Sequence, residues 1–319
     1  MFRRIAGIVA AALVIAAPVF AQQFPTKPVR MVVAFPPGQA TDIVARLFAE
    51  ELTKMWGNQV IVDNRAGGAS VPGTMVGRNA TPDGHTITFA TSSSIAVNPA
   101  IYSNLPYDTA RDFAMVHGIF TVPWVIVAHP TAPYNTLKEL IEASKKAPNT
   151  INWGYGASSL QLGAELFKLR TGAQLVGVPY KGSGPATTDL LGGHIPLLLD
   201  TVAATLPHIK AGRMKAIATM TPKRMPLLPD TPTVAELGFP GFEAEGWGGM
   251  VVPSATPKAI VTKISSDVAR ILNQAAIQKQ MLDRGVVPDA RGPAEWTKFV
   301  HAEVVKWTDV AKRANVKAD

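Results

Sequence analysis

Two successive series of strands and helices predict an α/β protein built as two lobes with a ligand cleft between them. The first observation is a set of short apolar runs, rich in Val and Ile, each followed by a segment of helical apolar spacing. The second is that this alternation runs through residues 28–90 and starts afresh after residue 125. The third is that four loops between a strand and the next helix share one chemistry, small or hydroxylated.

Residues 28–35 carry Val29, Met31, Val32, Val33 and Phe35, a mostly buried strand that Pro36-Pro37-Gly38 ends. A helix opens at Thr41 or Asp42, with Ile43, Val44, Leu47, Phe48, Leu52 and Met55 at helical spacing, and Gly57 stops it. Strands are predicted at 60–62 and, after the Pro82-Asp83-Gly84 turn, at 86–90. The second series begins with Val125-Ile126-Val127. Thr136 opens a helix with Glu139 three residues on, a capping box, and Leu137, Leu140 and Ile141 supply its apolar face. Further strands are predicted at 151–155, 174–179, 195–199 and 214–219, with helices at 161–170, 185–191 and 203–210 between them. Residues 222–241 are proline-rich and aperiodic, an irregular connection. A strand at 248–252 precedes a helical tail at 257–273, 277–285 and 294–314. Alternation of this kind argues for a parallel sheet. With no linker in the chain, it is expected to cross between lobes near residues 125 and 246. Residues 22–125 with 247–319 then form lobe 1 and 126–246 lobe 2, the C-terminal helices packing back on lobe 1.

Arg3 and Arg4 lead into an uncharged apolar run that Pro18 breaks, and Val19-Phe20-Ala21 puts small residues at a cleavage position. Residues 1–21 thus read as a secretory signal peptide cut before Gln22. A membrane anchor would need roughly 20 apolar residues, more than this run supplies. The protein is expected to work outside the cytoplasm. It has no cysteine, which removes thiol catalysis, Cys-ligated zinc and iron–sulfur chemistry. The net charge of +8 comes from scattered Lys and Arg with no run longer than two, a pattern that does not favour nucleic acid as a partner. A mild positive field suits a small anion or an acidic membrane surface.

The four shared loops are Pro37-Gly38-Gln39-Ala40-Thr41, Thr91-Ser92-Ser93-Ser94, Gly156-Ala157-Ser158-Ser159 and Asp200-Thr201. Helix N-termini present unpaired N–H groups and a partial positive charge, so they attract anions. In open α/β sheets ligands sit beyond the carboxyl ends of the strands. Such loops facing each other across a cleft would enclose a small anion. Ser, Thr and Gly also cap helices with no ligand involved, so it is the recurrence in four loops that argues for a site.

Catalytic patterns are lacking. The histidines at 85, 117, 129, 194, 208 and 301 show no metal spacing, and no metal or cofactor is expected. Gly154-Tyr155-Gly156 lacks the third glycine of a dinucleotide fingerprint, and no G-x-S-x-G elbow surrounds Ser158 or Ser159. A triad of distant residues is visible only in three dimensions, so a secreted hydrolase with a dispersed Ser/His/Asp set is the alternative to a binding protein. Asp42 reads as a helix-dipole partner before a ligand contact. Lys181 is either an anion contact or a solvated turn residue. Trp247 reads as a core indole before a cleft wall.

Several motifs in fixed order resemble the tripartite tricarboxylate transporter substrate-binding proteins, the Bug family. They are Phe35-Pro36-Pro37-Gly38 with Asp42, Val62-Asp63-Asn64-Arg65-Ala66-Gly67, Pro82-Asp83-Gly84, Asn98-Pro99-Ala100, Leu105-Pro106-Tyr107-Asp108 and Val178-Pro179-Tyr180-Lys181-Gly182. Asp189-Leu190-Leu191-Gly192-Gly193, Leu206-Pro207-His208 and Leu228-Pro229-Asp230-Thr231-Pro232 complete the series, which spans the chain beyond the signal segment. The resemblance implies a periplasmic binding protein fold of type II. It implies a carboxylate held by backbone amides, hydroxyls and bridging waters, without an arginine clamp. The partners it implies are a small organic carboxylate and the subunits of a membrane transporter; a sensor kinase in the transporter's place is a separate alternative, and the protein is expected to be a monomer. The family typically places a second glycine where this chain has Gln39, a side chain long enough to reach a ligand.

Overall fold

The computed structural model describes residues 24–318, so the signal segment and its cleavage position lie outside the described residues. Strand β1 (Val29–Val33) is buried except at the half-buried Arg30 and is flanked by β2 (Val60–Asn64) and β3 (Thr86–Thr91), all parallel. Between β1 and β2 runs α1 (Ala40–Trp56), which places Val44, Ala45, Phe48, Ala49 and Leu52 on one buried face. Gly57 ends it in the left-handed conformation, its N–H returning to the Thr53 carbonyl. The helix starts at Ala40, not at Thr41 or Asp42, because Gln39 takes the extended N-cap conformation. Next comes α2 (Val71–Arg78), which the sequence reading omits. Its Gly73 and Gly77 read as breakers but serve close packing: a Cβ on Gly73 would lie 2.7 Å from Ala34 Cβ, and one on Gly77 would strike Thr88.

After β3 a single π-type turn (Ser93–Val97) leads into α3 (Asn98–Ile101) and α4 (Thr109–Asp112). Strand β4 (Phe113–Ala128) is far longer than residues 125–127 suggest. His117 and Gly118 flank register shifts against β9, and Pro123 stands where β4 changes partner from β9 to β7, so none of the three ends the strand. The second series follows as α5 (Leu137–Lys146), β5 (Ile151–Tyr155), α6 (Ser158–Thr171), β6 (Leu175–Pro179), α7 (Ser183–Leu191), β7 (Leu197–Thr201), α8 (Val202–Lys210) and β8 (Lys215–Thr219). The α5 capping box is formed in both directions between Thr136 and Glu139. The chain ends through β9 (Glu245–Pro253), α9 (Lys258–Leu272), α10 (Ala275–Leu282), β10 (Val287–Arg291) and α11 (Pro293–Ala314).

The strands form one path, β2-β1-β3-β9-β4-β7-β5-β6, with β8 and β10 both attached to β4. The sheet is mixed, not parallel throughout. β1–β3 and β5–β7 are parallel groups, and antiparallel β9 and β4 lie between them. The strand β4 pairs with β9 from Phe113 to Pro123 and with β7 and β8 from Trp124 onward. One core lies beneath β1–β3, where Phe48 and Leu52 of α1 meet Ile264, Val268 and Ile271 of α9. Full burial of each such side chain contributes about 1.5–3 kcal/mol. A larger core holds Trp124, Trp153, Trp247, Trp296 and Trp307. Helix α11 touches both β4 and α6, and the Glu303 carboxylate accepts from the indoles of Trp247 and Trp307 at 2.8 Å each. Among the described residues no helix is long and apolar enough to cross a membrane.

Candidate functional site

Parallel pairing sets the carboxyl ends of β1 and β3 on one side of the first group, and those of β5, β6 and β7 on one side of the second. The loops leaving these ends meet each other. A Cβ on Gly182, after β6, would stand 3.2 Å from Gln39 Nε2, after β1. A Cβ on Gly156, after β5, would lie 2.5 Å from the Gly182 carbonyl carbon. After β3, Ser93 Oγ donates to Ser159 Oγ at 3.0 Å, and Ser158 Oγ donates to Asn98 Oδ1 at 3.2 Å. Gln39, Ser93, Gly156, Ala157, Ser158, Ser159 and Gly182 thus line one seam between the two strand groups.

The helix starts at this seam share one feature. Gln39, Ala157 and Gly182 occupy the N-cap positions of α1, α6 and α7, and none caps its helix with a side chain. Their first-turn N–H groups therefore keep their positive field for another acceptor. By contrast α8 is capped internally, Thr201 Oγ1 accepting from the Ala204 N–H at 3.2 Å. Gly182 at φ 108° and Gly38 at φ 84° take a backbone form that side-chain-bearing residues avoid, which brings both turns close to the seam. Pro37 and Gly38 are exposed, while Ala40 and Thr41 lie in the first turn of α1 and Thr41 is buried.

The loop after β3 is packed from behind. Ser94 Oγ bridges the Thr91 N–H and carbonyl at 3.0 Å each, and Tyr107 Oη donates to the Ser94 carbonyl. Ser92 is buried and makes no capping bond, and the buried Thr91 Oγ1 has no partner. Asp200 is fully buried at the end of β7. Its Oδ1 accepts from Ser183 Oγ at 2.8 Å and from the Thr201 N–H at 2.7 Å, whereas Oδ2 has no partner. Burial pushes this carboxyl up to about 6 against those hydrogen bonds.

Asp42 and Trp247 take structural roles, while Lys181 stands at the surface. Asp42 accepts from the Gly38 N–H at 2.8 Å, Arg46 Nε at 2.9 Å and Asn64 Nδ2 at 2.9 Å, so it fixes the opening loop from below. Burial opposes its charge, but those bonds hold its carboxyl below the ordinary value. Trp247 is a core indole bound to Glu303, and Lys181 is exposed. Ser158 and Ser159 belong to the first turn of α6, not to a loop, and Asp200 and Thr201 end β7. The sequence reading misses Asn98, Gly182 and Ser183 as seam residues. Gly182-Ser183 satisfies the same rule as the other loops, a small and a hydroxylated residue between strand and helix, and that signal would have found it. Among the described residues no group of three or more His, Asp or Glu is placed to hold a metal ion. Two surface pockets, one beside Arg78, Asp112 and Pro253 and one beside Tyr102, Ala311 and Lys317, include none of the seam residues.

A two-lobed α/β fold with uncapped helix starts facing a seam defines a solute-binding protein of the periplasmic binding type. The model of the tripartite tricarboxylate transporter family receptor matches residues 44–316, and the chain belongs to that family. It is 35% identical to the protein BugT of Bordetella pertussis over 98% of this chain and 96% of that one. The structure of R. palustris Rpa4515 with adipate superposes with a TM-score of 0.87 at 34% identity, covering 92% of this chain and 99% of that one. MatC from Rhodopseudomonas palustris, with bound malate, gives 0.82 at 28% identity, covering 90% and 99%. These relatives are receptors, not enzymes, which sets the hydrolase alternative aside.

Proposed function

We propose that the protein works in the periplasm, where it captures a small organic carboxylate at the seam and delivers it to a tripartite tricarboxylate-type membrane transporter. The observation that carries this reading is the meeting of three helix starts without side-chain caps at Gln39, Ala157 and Gly182. Convergent N–H groups with a partial positive charge suit a carboxylate, and the hydroxyls of Thr41, Ser92 and Ser159 add neutral donors, with Ser93 and Ser158 orienting the turn through their bonds to Ser159 and Asn98. Adipate and malate in the two related structures support the same class of ligand. The family description supports the transporter as recipient. Residues 1–21 direct export, residues 22–125 with 247–319 make one lobe, and 126–246 make the other. The change of β4 partners between Pro123 and Trp124 supports the first crossing. The receptor acts as a monomer, closing its lobes to exclude water and strengthen the bonds to the carboxylate.

A thermal-shift screen of organic acids on the purified mature chain, followed by calorimetry, tests the reading. The expected result is one-to-one binding without added metal, with about 2.7 kcal/mol of stabilisation at a ligand concentration 100 times Kd. A screen in which no acid stabilises the protein, or binding that requires a divalent cation, overturns it.

A further inference from the structure

We propose that Asp200, held by Ser183 next to the Gly182 that Gln39 approaches, forms a subsite that selects acids carrying a hydrogen-bond donor, a hydroxyl or an ammonium group, over unsubstituted diacids. The inference rests on the carboxylate reading above and names which carboxylates the same site prefers. The Asp200 carboxylate is wholly buried, yet only one of its oxygens is engaged, by Ser183 Oγ and the Thr201 N–H. The second oxygen is an acceptor with no donor. A buried charged acceptor left open costs free energy, so the site gains most from a partner that brings a donor.

The position fits that role. Ser183 is the first residue of α7 and follows Gly182, the residue that Gln39 approaches from the other strand group. Asp200 therefore lies beside the uncapped start of α7, one of those that suit the ligand's carboxylate. A second carboxylate brought against Asp200 would meet like charge, whereas a hydroxyl or ammonium would donate to it. Gln39 can donate and accept, so its amide serves either orientation of the substituent.

Calorimetry on the mature protein with chain-length-matched acids tests this: succinate, malate and aspartate; glutarate, 2-hydroxyglutarate and glutamate; adipate and 2-aminoadipate. In the wild type, the donor-bearing member of the best-bound set should bind about tenfold or more tightly than its unsubstituted partner. Asp200→Asn keeps the shape but turns an acceptor toward donation. It should erase that preference, and with the like charge gone the unsubstituted diacid should bind no more weakly than it does to the wild type. Equal affinities within each set in the wild type overturn the inference whatever the variant does, and so does a folded Asp200→Asn protein that keeps the preference. Those results leave the carboxylate reading standing. If no acid of any set binds, both fall together.

Discussion

Ser93 Oγ and Ser159 Oγ stand 3.0 Å apart, a buried hydrogen bond joining the turn after β3 to the first turn of α6. The two residues are 66 positions apart in sequence and belong to different parallel strand groups. The bond therefore reports on how the groups meet, and it leaves the Ser159 hydroxyl hydrogen to donate to a carboxylate.

Removing these hydroxyls should weaken ligand capture and leave the fold in place. A neutral hydrogen bond contributes about 0.5–1.5 kcal/mol, more where the acceptor is charged. The variants Ser92→Ala/Ser93→Ala and Ser158→Ala/Ser159→Ala should each lose several-fold to about tenfold in affinity for the best organic acid. Circular dichroism should show unchanged secondary structure. Affinities equal to wild type in both variants would refute the placement of the site.

Acid should destabilise the protein partly through His117. This imidazole is buried, with Nδ1 at 2.9 Å from Ser265 Oγ and Nε2 without a partner. Burial takes it from 6.5 down to about 4. The unfolded chain thus binds a proton below about pH 6.5 that the folded chain refuses until about pH 4. The stabilisation is fully present above 6.5 and is lost as pH falls toward 4. Between pH 7.5 and 4.5 the wild type should lose about 2–3 kcal/mol more than His117→Gln in urea unfolding. Identical losses would mean that His117 stays uncharged in the unfolded chain or charges in the folded one.

The sequence made the elements legible where local chemistry and burial agree. The α5 capping box, the Gly57 stop and the apolar strand 29–33 all follow from residues within one turn or one pleat. It failed where a distant neighbour decides. The strand β10 holds Pro288 and Asp289 and looks like a turn, yet it pairs antiparallel with β4 through Val287 and Thr121. The glycines of α2 look like breakers until Ala34 and Thr88 are placed against them. At the site, hydroxyl-rich loops were readable because helix starts need polar or small residues. The bond from Ser183 to Asp200 was not, since nothing local marks which carboxylate a serine will meet.

Gly182 and Gln39 set the width of the seam between them, and this supplies a final prediction. Gly182 has φ 108°, and a Cβ there would stand 3.2 Å from Gln39 Nε2. Gly182→Ala should therefore act in two ways, through backbone strain of about 1–3 kcal/mol and by pressing the Gln39 amide out of the seam. Gln39→Gly alone removes the amide from the seam, and should change the order of preferred acids more than stability. In the double variant the backbone strain persists while the crowding is gone. Melting temperatures should fall alike for Gly182→Ala and for the double variant. The affinity lost in Gly182→Ala should return in the double variant, a coupling of at least about 0.5 kcal/mol between the two positions. Additive losses of affinity would show that Gln39 does not face Gly182 when ligand is bound. An unchanged order of acids in Gln39→Gly would remove Gln39 from the selection of ligand.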